Sequence, residues 1–303
     1  MSEWLGPDLG AEVTWEKTDA RMEGPLAELL RAGQWDVNKM AHYLPVYESA
    51  FGDRDRPVRM LEIGVNLGGS LEWWRDYFTH PESVIVGIDY NQSCAQFADP
   101  DRNIHVRIGK QQDRDFLIGL VNEFGAFDIV LDDGSHIPSF TLKSFQTLFP
   151  RLVDDGVYIV EDLHTCYSKG CAEPFPEDNP EFAGANDGSP QFIHFVAELM
   201  DVMHAHHRQI PDGDGVDTLE PGNPIQRQSF QVPLATTIVK SIEMHDSIVV
   251  IRRGRNELTR MIRRWSHERM MATRPPSDVE DFMDRRHPFL GEASRTRRDW
   301  ISD

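Results

Sequence analysis

The chain has 303 residues, of which 40% are hydrophobic and 10% aromatic, enough for one elaborated α/β domain with a large core. The 50 acidic residues outweigh the 31 basic ones, and the formal net charge of -19 argues against general binding to nucleic acid or to an anionic membrane. The amino terminus lacks the features of a signal peptide, and no apolar run is long enough for a membrane span, so we expect a cytoplasmic protein.

The first 51 residues are predicted to form a helical or lid segment ahead of the main domain. The end of this segment, residues 34–51, mixes aromatic side chains with charged ones such as Lys39, immediately before the first predicted strand. Such a stretch is typical either of a lid over a site or of an ordinary amphipathic docking helix. The sequence leaves both interpretations open.

A glycine-rich turn joins a predicted buried strand, residues 58–63, to a predicted helix, residues 70–78. Its spacing is G-x-x-x-G-G rather than the G-x-G-x-x-G of dinucleotide sites, which disfavours NAD. An acidic residue before such a loop suits the E/D-x-G-x-x-x-G pattern that receives the amino acid part of S-adenosylmethionine, although strand, turn and helix are also common scaffolding. We predict cofactor contacts from the strand end, the loop and the helix start: Glu62, Gly64, Gly68 and Ser70.

The next two predicted strands extend the same pattern. Residues 83–89 end at Asp89, about twenty residues beyond the glycines, where an α/β nucleotide site places a carboxylate on the ribose hydroxyls. Residues 103–109 lead into a loop in which Gln111 is predicted to reach the adenine. The alternation of strands and helices predicts a parallel, doubly wound α/β sheet with its ligands at the carboxyl edge.

Two short apolar runs, residues 127–131 and 157–160, each stop at a pair of carboxylates. The amphipathic helix between them predicts a right-handed strand–helix–strand unit, so both strands end at the same edge of the sheet. Neighbouring strands lie about 4.8 Å apart, and clustered carboxylates repel one another unless a cation such as a hard divalent ion lies among them. Asp132 alternates to the other side and is predicted to support the site from behind. The predicted site itself consists of three carboxylates: Asp133, Glu161 and Asp162.

The main domain is predicted over residues 52–254, with an insertion at about 168–235. Part of the insertion is rich in proline and acidic residues and cannot pack a core, so we predict an acceptor-binding loop. A closing antiparallel hairpin is predicted to turn near residues 244–246. Residues 255–303 are predicted to be a basic helix and tail, which serves as a solvated face or an oligomer contact, and we expect a homo-oligomer of dimer size or larger.

Six segments in order carry a family resemblance: KMAHYLPVYESAF, LEIGVNLGGS, the strand ending in Asp89, IGKQQD, DIVLDDGSH and GVYIVEDLHTCY. The set resembles the macrocin and mycinamicin type of S-adenosylmethionine-dependent, metal-dependent sugar O-methyltransferases. The resemblance implies a Rossmann-like class I methyltransferase fold with a mostly parallel, seven-stranded sheet and a closing hairpin. It also implies Mg²⁺, or Mn²⁺, on Asp133, Glu161 and Asp162, with His136 as the catalytic base beside Asp133.

His164 and Tyr167, just past the predicted metal pair, are candidate acceptor contacts or simple packing residues. The acceptor is expected to be a sugar with vicinal hydroxyls: a mannoside, a rhamnoside or the deoxysugar of a glycoside. The few residues before the first strand and the acidic, proline-rich loop favour a mannoside or another saccharide over a macrolide.

Two other functions remain alternatives to the sugar methyltransferase. The sequence resembles, more loosely, the cephalosporin hydroxylase type of protein, but a hydroxylase would need redox iron, usually on two histidines and a carboxylate. A non-catalytic S-adenosylmethionine-binding subunit would be expected to lose the base or a ligand. The predicted base and all three predicted metal ligands are present in the sequence.

Overall fold

The computed structural model describes residues 22–33, 35–167, 191–206 and 231–255, together with Leu9, Val13 and Thr14. Much of the predicted acceptor loop, and the predicted basic segment beyond Arg255, lie outside the described residues. The domain boundaries predicted there therefore stay predictions.

Seven strands form one sheet in the order β3-β2-β1-β4-β5-β7-β6. The first five strands are parallel, β7 is antiparallel to β5, and β6 pairs antiparallel with β7 at the edge. This order confirms the predicted doubly wound sheet with a closing hairpin. The strands are β1 Arg59–Ile63, β2 Val84–Asp89, β3 Ile104–Ile108, β4 Ile129–Asp132, β5 Val157–Val160, β6 Val239–His245 and β7 Ile248–Arg253.

Seven α-helices accompany these strands in the described part of the chain. None of them is both long and apolar enough to cross a membrane. The residues just before β6, which the sequence pattern placed in the hairpin, form a short helix instead. The helices are α1 Pro25–Ala32, α2 Leu44–Phe51, α3 Gly69–Tyr77, α4 Arg114–Phe124, α5 Pro138–Leu148, α6 Phe192–Met203 and α7 Leu234–Ile238.

Helix α2 packs into the core on one face of the sheet rather than lying on the surface. Its Tyr47 and Phe51 rings meet the indole of Trp74 on α3 edge to face, with centroid distances of 5.4 and 5.6 Å. All three side chains are buried, and aromatic pairs of this kind stabilise a core beyond their buried area. The docking interpretation therefore applies to α2, whereas residues 35–40, which have no regular secondary structure, lead up to it.

The carboxyl ends of β1, β4 and β5 meet at one edge of the sheet, as the crossover rule predicted. β4 lies between β1 and β5, and Asp132 at its end pairs with Val160 of β5. The turn after β1 approaches the end of β4 so closely that a Cβ on Gly64, whose φ is +97°, would lie 2.1 Å from the carbonyl oxygen of Asp133. Glycine is required there, because any side chain would collide with backbone.

Candidate active site

One cavity of about 810 Å³ extends along the carboxyl edge of the sheet. Its walls include the glycine loop after β1, the end of β2, the loop after β3, the loop after β4, and residues 35–39, which we call the strap. The cavity therefore joins two groups of residues that the sequence predicted separately. Asp89 belongs to the predicted cofactor group, and Asp133, His136 and Asp162 belong to the predicted metal and base group.

Asp89 holds the glycine loop and borders the cavity. Its Oδ2 accepts hydrogen bonds from the backbone N–H groups of Val65 and Asn66, at 3.0 and 3.2 Å, and its Oδ1 accepts from the N–H of Asn91 at 2.8 Å. Gly64 and Ser70, also predicted as cofactor contacts, line the same cavity. These positions agree with the geometry that an α/β nucleotide site requires, while the ribose contact itself stays a prediction.

Glu62 and Gly68 lie behind the cavity wall rather than on it. Glu62 has no exposed surface; its Oε2 accepts a hydrogen bond of 2.7 Å from the Ser70 hydroxyl, and its Oε1 lies 3.3 Å from Lys39 Nζ. Burial raises the pKa of Glu62, and the positive charge of Lys39 opposes that rise. The motif predicts Glu62 as a cofactor contact; its carboxylate is held between Ser70 and Lys39, and the contact with the cofactor stays a prediction. Gly68 is the N-cap of α3 and has a left-handed φ of 79°.

Gln111 borders the cavity, but its side-chain amide is hydrogen-bonded to protein groups rather than left open for the predicted adenine contact. Its Nε2 donates to Ser144 Oγ at 3.1 Å and to Asp132 Oδ1 at 3.3 Å, and its Oε1 accepts from the N–H of Ser135 at 2.8 Å. The amide therefore ties the loop after β4, through Ser135, to the end of β4 and to α5. Contact with an adenine would have to compete with these bonds.

Asp132 lies behind the site, as predicted. It is buried, and its Oδ2 accepts a hydrogen bond of 2.9 Å from the hydroxyl of Tyr158. Burial raises the pKa of Asp132 to about 7, and the hydrogen bond from Tyr158 acts in the opposite direction. The carboxyl group thereby supports the loop from the core without reaching the cavity, whose lining does not include it.

A lysine ammonium lies among the carboxylates for which the sequence predicted a divalent ion. Nζ of Lys39, from the strap, is 2.6 Å from Asp133 Oδ2 and 3.1 and 3.2 Å from the two carboxylate oxygens of Glu161. Its side chain is 4% exposed. Burial would lower the pKa of Lys39, but attraction by Glu161, Asp133 and Glu62 outweighs it, so the pKa is raised well above its ordinary value and the group is charged.

One oxygen of Asp133 and one oxygen of Asp162 face the imidazole of His136. His136 Nε2 is 3.8 Å from Asp133 Oδ1 and 3.6 Å from Asp162 Oδ2. Among the described residues, these three side chains form a set whose ligand atoms all lie within 4.8 Å of one another. Two carboxylates and an imidazole at this spacing fit a divalent cation. Glu161, the third predicted ligand, is outside this set, and both of its carboxylate oxygens are bound by Lys39 Nζ. Its role as a metal ligand stays a prediction.

The backbone of this set is strained. His136 and Asp162 both have a φ of 55°, in the left-handed region that residues other than glycine rarely adopt. Each such conformation costs about 1–3 kcal/mol and persists where the surroundings enforce it, often at functional sites. At His136 and Asp162 the surrounding structure therefore holds the side chain in position at the cost of an unfavourable backbone conformation.

The β6–β7 turn and the start of α2 close the site from the other side. The Tyr43 hydroxyl donates to Asp162 Oδ1 at 2.8 Å and accepts from the Asp162 N–H at 3.3 Å. His164 Nδ1 is 2.6 Å from the hydroxyl of Ser247, in the turn. His164 is thus tied to the turn, whereas Tyr167 is 74% exposed; their predicted acceptor contacts stay predictions.

Lys39, Tyr43 and Ser247 were not predicted as site residues. The first two lie in KMAHYLPVYESAF, which contributed to the family resemblance without indicating a role for either residue. No local pattern marks Ser247, because it reaches the site through the pairing of β6 with β7.

Comparisons with known proteins agree with the resemblance. A family model described as a methyltransferase domain matches residues 61–163. The tetracenomycin enzyme 8-demethyl-8-(2-methoxy-alpha-L-rhamnosyl)-tetracenomycin-C 3'-O-methyltransferase of Streptomyces olivaceus is 33% identical over 222 residues, which are 71% of this chain and 50% of that protein. Mycinamicin VI 2''-O-methyltransferase of Micromonospora griseorubida is 38% identical over 177 residues, 56% of this chain and 41% of that protein.

A solved structure extends the similarity to the fold. The mycinamycin-pathway methyltransferase MycE, in complex with Mg, SAH and mycinamycin VI, is 25% identical with a TM-score of 0.59, over 83% of this chain and 60% of that one. The chain spans about half the length, or less, of the curated relatives it matches. Sequence and fold together identify the chain as a homologue of the macrocin, mycinamicin and tetracenomycin sugar O-methyltransferases.

Proposed function

We propose that the protein transfers a methyl group from S-adenosylmethionine to a hydroxyl of a sugar, with the help of a divalent ion, Mg²⁺ or Mn²⁺. The observation that carries the proposal is the single cavity that joins the glycine loop and Asp89 to Asp133, His136 and Asp162. The relatives named for O-methylation of a rhamnosyl tetracenomycin and of mycinamicin VI support it, as does MycE in complex with Mg, SAH and mycinamycin VI.

The cofactor supplies a methyl group activated by a positively charged sulfur. Gly64 and Ser70 would receive its amino acid part, where backbone N–H groups and the start of α3 favour a carboxylate. Asp89 would accept hydrogen bonds from the ribose hydroxyls. Glu62, which is buried behind Ser70, would orient that hydroxyl rather than touch the cofactor itself.

Asp133 and Asp162 are the best-placed ligands for the ion, because one oxygen of each already faces His136. Glu161 completes the proposed ligand set, with its carboxylate shared with Lys39. The ion would act as a Lewis acid that lowers the pKa of a bound hydroxyl.

His136 would serve as the base. Its Nε2 accepts the proton of the acceptor hydroxyl, and the neighbouring Asp133 and Asp162 carboxylates stabilise the imidazolium that results. Bound S-adenosylmethionine would supply the methyl group to the acceptor oxygen with cleavage of its carbon–sulfur bond, which would give a methyl ether and S-adenosylhomocysteine. His136 then releases the proton to solvent. The same nitrogen cannot bind the ion and accept this proton, so metal affinity and turnover distinguish the two roles.

The acceptor is proposed to be a sugar with two neighbouring hydroxyls, one to be oriented and one to react. The relatives are named for O-methylation of a rhamnosyl tetracenomycin, of L-olivosyl-oleandolide and of mycinamicin VI. L-Rhamnose is 6-deoxy-L-mannose, so a rhamnoside and a mannoside both carry neighbouring cis hydroxyls, which are mirror images of each other where the mannose is the D sugar. His164 and Tyr167 at the edge of the metal site are the proposed acceptor contacts.

The alternative functions find less support in the site. The convergent set contains one imidazole and two carboxylates, whereas a non-haem iron hydroxylase usually employs two imidazoles and one carboxylate. A subunit that only binds the cofactor would have no use for His136 beside two carboxylates. The homo-oligomeric state and the cytoplasmic location remain proposals from the sequence.

Mass spectrometry of glycosides incubated with the enzyme, S-adenosylmethionine and Mg²⁺ tests the function. We expect a mannoside or a rhamnoside to gain one methyl group, and His136→Ala to abolish the product while leaving cofactor and Mn²⁺ affinities within about threefold. His80→Ala is the matched control, since His80 lies in the turn before β2 and contacts Glu82. Undiminished turnover in His136→Ala would remove His136 as the base, and a large loss of Mn²⁺ affinity would make it a ligand.

A further inference from the structure

Lys39 joins the two halves of the site through a single ammonium group. Its Nζ contacts Glu62, which supports the glycine loop, and also Asp133 and Glu161, which belong to the proposed metal site. The side chains of Glu62 and Glu161 are 0% and 1% exposed. Carboxylates at this depth require a cation, because burying them unpaired is far more costly than burying a paired charge.

The backbone that carries Lys39 is held in place by close packing. A Cβ on Gly69, at the start of α3, would lie 2.5 Å from the N of Asp36 and 2.6 Å from its O. The strap therefore rests directly on the helix that follows the glycine loop. On its other side the chain continues into Tyr43, which binds Asp162, and into the buried helix α2. Lys39 is thus delivered to the cluster by a fixed backbone.

The contacts of Lys39 also decide which carboxylate oxygens remain for an ion. Asp133 Oδ2 is bound by Lys39 at 2.6 Å, and Asp133 Oδ1 is the atom that faces His136. Glu161 presents both oxygens to the ammonium at nearly equal distances. A fixed positive charge at this position repels any second cation, so it lowers the affinity of the cluster for a divalent ion while it orients the carboxylates.

We propose that Lys39 is a positioning residue of the proposed metal site, whose positive charge orients Asp133 and Glu161 and weakens the binding of the divalent ion. The proposal rests on the proposed metal-dependent function. It makes an unusual prediction, because loss of the ammonium strengthens metal binding and impairs catalysis at the same time. A residue that merely filled space would, when lost, weaken both.

Lys39→Met tests this in the full chain, since methionine keeps most of the length of the side chain and removes its charge. We expect Mn²⁺, measured by electron paramagnetic resonance without cofactor, to bind at least about tenfold more tightly, because the repulsion between the Lys39 ammonium and the divalent ion is removed. Turnover at saturating Mn²⁺ is expected to fall at least about tenfold. Lys240→Met is the matched control, since Lys240 pairs with Asp155 at the surface, and it should change neither quantity.

Lys39→Arg separates charge from shape and covers the case in which Lys39→Met does not fold. Because it keeps the positive charge, its Mn²⁺ affinity should stay within about threefold of the wild type. Unchanged or weaker Mn²⁺ binding in Lys39→Met, or tighter binding in Lys39→Arg, would overturn the proposal for Lys39. Failure of the wild-type protein to bind Mn²⁺ would instead refute the proposed metal dependence, so the two failures are distinct.

Discussion

Tyr43→Phe removes one oxygen atom that supports the proposed metal site and leaves the aromatic packing intact. The Tyr43 ring is buried, and its hydroxyl donates to Asp162 Oδ1 at 2.8 Å. Burial raises the pKa of Tyr43, so the hydroxyl keeps its proton and remains a donor. A hydrogen bond to a charged group contributes about 1.5–3 kcal/mol. Loss of such a partner of a metal ligand typically costs about 10–100-fold in metal affinity or activity.

The lower end of this range applies here. The side chain of Asp162 is 27% exposed, so water replaces part of the lost hydrogen bond. We therefore expect Mn²⁺ affinity to fall about tenfold, equivalent to about 1.4 kcal/mol, with unchanged affinity for S-adenosylmethionine. Calorimetric titration of both ligands measures this, and Tyr77→Phe, another buried tyrosine away from the site, is the control. Equal Mn²⁺ affinities for Tyr43→Phe and Tyr77→Phe would refute the role of Tyr43.

Two further substitutions test the cofactor half of the cavity and the strap. Asp89→Asn replaces a carboxylate that accepts hydrogen bonds from three backbone N–H groups. We expect the affinity for S-adenosylmethionine, measured by calorimetry, to fall at least about tenfold while the affinity for Mn²⁺ is unchanged. Unaltered cofactor affinity would remove Asp89 from the site. Gly69→Ala places a Cβ against the backbone of Asp36, so it should displace the strap and weaken the binding of both S-adenosylmethionine and Mn²⁺. Gly119→Ala is the control, because a Cβ at Gly119 meets open space and should change neither affinity. Identical affinities in the two alanine variants would show that the strap does not shape the site.

The sheet and its ligand edge could be predicted from local patterns. The apolar runs of β4 and β5 stop where the carboxylates begin, and the helix between them is short and amphipathic. Because such a unit has one handedness, the pattern placed Asp133 and Asp162 together without knowledge of any contact. Asp89 followed in the same way from the end of β2.

The cation inside the cluster could not be predicted in this way. Lys39 is separated from Asp133 by 94 positions and from Glu161 by 122, and no periodicity links residues so far apart. Motif matching also says nothing about depth: Glu62 was predicted as a cofactor contact, and its complete burial could not be read from the motif. For Gln111, the neighbours that bind its amide come from β4 and α5, which the sequence of its own loop does not reveal.

One measurement tests metal-dependent methyl transfer to a sugar most directly. The enzyme is stripped with EDTA, incubated with S-adenosylmethionine and a rhamnoside or mannoside acceptor, and the product is followed by mass spectrometry before and after Mg²⁺ is restored. We predict no methylated glycoside in EDTA and its appearance once Mg²⁺ exceeds the chelator. Full methyl transfer in excess EDTA would contradict the metal site, and the absence of methyl transfer to every sugar acceptor in Mg²⁺ would contradict the proposed activity.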